Sequence, residues 1–80
     1  MHEIGVLRHI ARTVNKVAEE NQIDRIKYIT LVVGMYSGYM PYYLKKLFPI
    51  AADGIPQLAE TEIIVEETEG KDLVIKDIGY

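Results

Sequence analysis

The chain has 80 residues, a formal net charge of −3 and no cysteine. A single domain of that size buries only about 60–65% of its unfolded surface, so its core is marginal, and self-association is a candidate extra source of stability. The missing cysteine excludes disulfides, thiolate zinc sites, redox motifs and a cysteine nucleophile. Charges of both signs are spread along the chain with no basic patch carrying interleaved aromatics, which argues against a nucleic-acid partner. No apolar run nears the roughly 18 residues of a membrane span. Met1-His2-Glu3 does not open like a signal peptide, so the expected location is the cytoplasm.

Ile4, Leu7, Ile10, Ala11, Val14, Val17 and Ala18 recur at helical spacing and predict an amphipathic helix ending near Asn21. His2 and His9 fall on its wet face with Arg8, Arg12, Lys16, Glu19 and Glu20. Gly5 weakens the first turn by roughly 1 kcal/mol relative to Ala, which would let that end open around an ion. After the connector Asn21-Gln22-Ile23-Asp24, residues Ile26 to Gly34 read as a strand. Ile29, Leu31 and Val33 share one face, and Tyr28, Thr30 and Val32 the other. The second face is either ordinary strand composition or a partner or dimer surface.

Gly34, Ser37 and Gly38 mark a turn, and Pro41 suits the first turn of a second helix. Leu44, Leu47, Phe48 and Ala51 supply its buried stripe, Pro49 predicts a kink, and Gly54 can close it in a left-handed conformation. Ile55 to Leu58 reads as loop. Thr61 to Glu67 alternates as a strand with Ile63 and Val65 inward, Glu69-Gly70-Lys71 reads as a tight turn, and Leu73 to Ile78 is the last strand. A phase slip in that strand suggests a bulge at Lys76-Asp77. The expected fold class is α+β. Its order is helix, strand, helix, strand, strand, with a parallel crossover between the first two strands and an antiparallel hairpin of the last two. Both helices should cover one face of a three-stranded mixed sheet.

The chemistry concentrates at the start. The Met1 amine, the His2 amide nitrogen and the His2 imidazole can close adjacent small chelate rings, and the Glu3 amide can supply a fourth nitrogen. Nickel(II) and copper(II) favour such tetragonal nitrogen sets. The ligands must shed protons, so affinity should climb with pH. Set against this, a His at position 2 is often only a frayed terminal residue. His9 lies about 10 Å along the helix from His2, too far to share an ion without unwinding. It reads as a solvated side chain or as a bridging ligand from a neighbouring subunit.

Tyr36, Tyr39, Tyr42 and Tyr43 gather around the turn and the second helix start, and with Tyr28 they are the candidate partner-binding residues. Half-buried packing around the turn is the slightly favoured explanation for the four around the turn. Glu66, Glu67 and Glu69 look like a solvated acidic tip rather than a catalytic pair. Ser37 has no supporting triad, and no glycine loop cradles a phosphate, so no enzyme activity is expected.

Taken in order, several stretches resemble the HypA/HybF family of accessory proteins that help insert nickel into [NiFe]-hydrogenases. The opening Met1-His2-Glu3 is similar to the family's start. The strand running into Gly34, with Ser37-Gly38 and a proline-led helix, is similar to its strand–turn–helix. Glu62 to Glu67 and Gly70 to Ile78 are similar to its last two scaffold strands. The resemblance implies nickel carriage with His2 as ligand and Glu3 in support. It also implies two partners, the nickel-loading GTPase of hydrogenase maturation and the hydrogenase large subunit, with a homodimer as a further possibility. One departure is large. Family members carry a zinc-binding loop with paired Cys-x-x-Cys motifs between those strands, whereas here Glu67 passes through Thr68-Glu69-Gly70 straight into the last one. No zinc site is therefore expected. The competing reading is an interaction module or dimerising paralogue with no metal role.

Overall fold

The computed structural model describes residues 3–80. Helix α1 spans Glu3–Glu20, strand β1 Tyr28–Gly34, helix α2 Pro41–Ala51, strand β2 Glu62–Thr68 and strand β3 Leu73–Gly79, with a short 3₁₀ turn at Pro56–Leu58. The sheet is mixed: β1 pairs parallel with β2 and antiparallel with β3. Both helices pack on the face carrying Ile29, Leu31, Val33 and Ile63, and these join Leu7, Ile10, Val14, Leu44 and Phe48 in one core. The α+β order expected from periodicity is the observed one.

In α1 the buried stripe is Glu3, Leu7, Ile10, Ala11, Val14 and Ala18. Ile4 is only half-buried and Val17 is 38% exposed, against expectation. At 100° per residue both fall at the margins of the stripe centred on Leu7, while Glu3 falls inside it. The helix ends as Asn21 Nδ2 donates to the Val17 carbonyl at 2.8 Å and Gln22 turns to a φ of 57°. Pro41 opens α2 and Gly54 lies past its end at a φ of 83°. Pro49 sits in the last turn, so its missing donor strips a bond from a helix that has only two more residues to run.

Two assignments move, and a third feature holds. Ile26, expected in the strand, lies in the connector before it, yet it is fully buried and its amide donates to the Gln57 carbonyl at 2.9 Å. The segment expected as plain loop forms the 3₁₀ turn that drives Leu58 into the core. The expected bulge is present, because Thr30 pairs with Asp77 and Leu31 with Ile75, leaving Lys76 as the extra residue.

The expected hairpin of the last two strands does not form. The strand order is β2-β1-β3, so β2 and β3 are the two edges. The central place suits β1, which is apolar on the covered face and carries the buried Thr30 and half-buried Val32 on the other. Acidic β2 and bulged β3 suit edges, where charge and irregularity discourage further pairing. Residues 69–72 therefore form a crossover above the end of β1 rather than a tight turn. Gly34 makes this possible: a Cβ there would overlap the Gly70 carbonyl and lie 2.8 Å from the Lys71 nitrogen. The crossover is tied down by Gly34 N–H donating to Asp72 O at 2.7 Å and Tyr36 N–H to Gly70 O at 2.8 Å.

Candidate functional site

The topology brings several chain ends to one end of the molecule. β1 and β2 finish there, β3 starts there, and the turn after β1 leads directly into α2. The first turn of α1 reaches the same place, because the Met40 amide donates to Glu3 Oε2 at 3.2 Å. Glu3 is 2% exposed, so its carboxylate is enclosed where the two helices begin. A carboxylate beside the N-terminus of α2 is also favoured by the helix dipole.

The turn itself is shaped by Ser37 N–H donating to Gly34 O at 3.0 Å and Tyr39 N–H donating to Ser37 Oγ at 3.2 Å. Gly38 takes a φ of 85°. This fold-back leaves large apolar side chains in solvent: Met35 is 64% exposed, Tyr36 66%, Met40 54% and Tyr42 62%.

Of the candidate metal residues, Met1 and His2 lie outside the described residues. Glu3 is placed as a buried anchor to Met40. His9 is exposed on the wet face of α1. Among the described residues, no three His, Asp or Glu side chains gather as a ready-made metal cluster.

The tyrosines divide. Tyr42 and Tyr43 pack edge to face, with centroids 5.3 Å apart and planes at 71°, and Lys46 Nζ stands 5.4 Å above the Tyr42 ring. Tyr39 packs against the core, whereas Tyr36 is free of it. Tyr28 belongs to the far end of β1, about 20 Å away at strand rise, where its half-buried ring fills the space above Gly79. The structure thus separates Tyr28 from the other four.

Sequence reasoning missed Met35, Met40 and the Glu3–Met40 contact. Met40 could have been flagged as the residue just before a proline-led helix, which is an N-cap position. Nothing in sequence spacing signals a bond between residues 37 apart.

Comparison with known proteins agrees with this architecture. A family model described as hydrogenase/urease nickel incorporation, metallochaperone, hypA matches residues 1–76. Proteins named hydrogenase maturation factor HypA are 37% identical in Chloroflexus aurantiacus and 34% identical in Chloroflexus aggregans. Each match runs over 67 residues and covers 84% of this chain and 58% of the relative, so the chain spans little more than half the length of those relatives. The solution structure of the Ni metallochaperone HypA from Helicobacter pylori superposes with a TM-score of 0.62 at 15% identity, covering 95% of this chain and 87% of that one, a likeness of fold. The chain belongs to the HypA family.

Proposed function

We propose that this protein is a nickel carrier that binds nickel(II) at Met1-His2-Glu3 and passes it on during hydrogenase maturation. The reading is supported by a family match that takes in the first residues. The observation that carries it is the buried Glu3 carboxylate, which ties the start of α1 to the Met40 amide. Glu3 itself, the first described residue, thus sits at the open end of the scaffold. In this reading the Met1 amine, the His2 amide and the His2 imidazole supply nitrogen donors of the type nickel(II) prefers. Glu3 contributes its amide and the anchorage of its side chain.

Nickel is cargo in this reading, and the protein is a carrier rather than a catalyst. Its receivers would be the nickel-loading GTPase and the hydrogenase large subunit in the cytoplasm. Among the described residues, no helix is long and apolar enough to cross a membrane. The zinc loop of the family has no counterpart to build it, since cysteine is absent.

The test compares nickel(II) affinity, by calorimetry, for the chain with a free Met1 amine, for His2→Ala, and for a version extended before Met1. Tight binding in the first alone is expected. Equal affinity in all three would overturn the proposal.

A second reading has its own observation. Met35, Tyr36, Met40 and Tyr42 are each more than half exposed, and Ile64 and Val74 are exposed on strands β2 and β3. Such surfaces suit a protein partner or a second copy. A concentration series in light scattering would show dimer formation under this reading and a constant monomer mass without it.

A further inference from the structure

The two edges of the sheet differ. β3 is broken by the bulge at Lys76. β2 is straight, and its register with β1 runs unbroken from Tyr28↔Glu62 to Gly34↔Thr68. The Glu62 amide donates to the Lys27 carbonyl, and the Thr68 carbonyl accepts from the Met35 amide. Glu62, Ile64, Glu66 and Thr68 therefore turn their backbone groups toward β1. By alternation along the strand, Ile63, Val65 and Glu67 turn theirs outward. On that side no further strand of the described residues pairs with β2. A straight edge of this kind is a template for one more strand.

Charge decides which strand can use it. Glu62, Ile64 and Glu66 are exposed on the sheet face that the helices leave uncovered, and Glu67 is exposed near the end of β2. Glu66 holds Lys76 at 3.1 Å, whereas Glu62 and Glu67 make no salt bridge among the described residues. β2 contains neither the lysine nor the proline that commonly guards an edge. A second copy docked here would bring Glu62, Glu66 and Glu67 of both chains within cross-strand reach, where like charges repel. The glutamates thus exclude the strand's own kind and leave it open to a cationic one.

We propose that β2 binds an extended cationic segment of another protein, which pairs antiparallel along Ile63, Val65 and Glu67 as a fourth strand. Directly opposed side chains stand about 5 Å apart. The segment accordingly sets a lysine or arginine opposite Glu62, an apolar side chain opposite Ile64 and a second lysine or arginine opposite Glu66, with one residue between each. A carboxylate has about four acceptor sites, so Glu66 can take this cation beside Lys76. Nothing in the proposal rests on nickel binding.

The test titrates the full chain, labelled with nitrogen-15, with a capped heptapeptide in which two lysines flank a central valine at alternate positions and threonine fills the rest. The Ile63, Val65 and Glu67 amide signals should move together and gain protection from hydrogen exchange. Two control peptides should fail to move them: one with glutamate in place of both lysines, and one N-methylated at the two threonines beside the valine, which removes backbone donors and keeps the charge. Glu62→Gln combined with Glu66→Gln, exposed changes that keep the fold, should weaken peptide binding about threefold or more. Edge amides that stay in place at excess peptide, or that respond equally to either control, would overturn the proposal. So would edge amides that become protected as the chain alone is concentrated and its mass in light scattering doubles, because the occupant would then be a second copy.

Discussion

At the Tyr28 end of β1 the core side chains and the backbone are tied down, although Tyr80 is 71% exposed there. Ile26 is fully buried, and Leu58 is 2% exposed. Thr61 Oγ1 donates to the Ile26 carbonyl at 2.7 Å, and the Lys27 amide donates to Gly79 O at 2.7 Å. At the Gly34 end the backbone is equally well bonded through the 69–72 crossover. Its side chains, however, are left out in water: Met35, Tyr36, Met40 and Tyr42. One end closes the core. The other is a hydrogen-bonded backbone platform that displays side chains beside the start of α1.

That contrast can be broken most sharply at Gly34. Gly34→Val would push side-chain atoms into the Gly70 backbone, and a loss of about 3 kcal/mol or more is expected in urea unfolding. A loss under about 1 kcal/mol would mean the crossover can shift freely. Next in size is the closed end. Ile26→Ala empties a fully buried site and should cost about 2–5 kcal/mol, read as a lowered thermal midpoint.

Glu3 lies between the two kinds of residue. Glu3→Ala removes a buried acceptor for the Met40 amide and should cost about 1–3 kcal/mol. Glu3→Gln, which keeps an oxygen acceptor, should recover much of that loss. If the two variants unfold alike, the anchor is not the carboxylate–amide contact. The smallest effect belongs to the open end: Tyr36→Ser should change stability by no more than about 0.5 kcal/mol. A larger loss would show that the exposed ring supports the scaffold after all.

The two ends also differ in how far they could be read without coordinates. The helix stripe of Leu7, Ile10, Ala11, Val14 and Ala18 and the alternation of Ile29, Leu31 and Val33 follow from periodicity alone, and they occupy the core as expected. The bulge at Lys76 was visible as a phase slip. Strand order was not visible. The four residues 69–72 could equally close a hairpin or step over a third strand, and the close approach that the bare backbone of Gly34 permits has no signal in the spacing. The burial of Glu3 was hidden as well, because a glutamate at a helix start ordinarily reads as a solvated charge favoured by the dipole. Its partner, Met40, is remote in sequence. The chelating pattern of Met1-His2-Glu3 was legible as chemistry, and with Met1 and His2 outside the described residues it stands as a proposal. Tyr28 was grouped with the turn tyrosines by residue type, and the length of β1 sets it apart from them.

The histidines offer the most direct measurement. His9 is exposed on the helix that begins beside the open end, seven residues after His2 in the sequence. It therefore serves as an internal control for any metal that binds surface imidazole indiscriminately. Nickel(II) added to the chain with a free Met1 amine, followed through the imidazole signals in nuclear magnetic resonance, should shift or broaden His2 at one equivalent. His9 should stay largely unchanged. A His2 signal that stays in place, or one that responds only in step with His9, would contradict the nickel-carrier account.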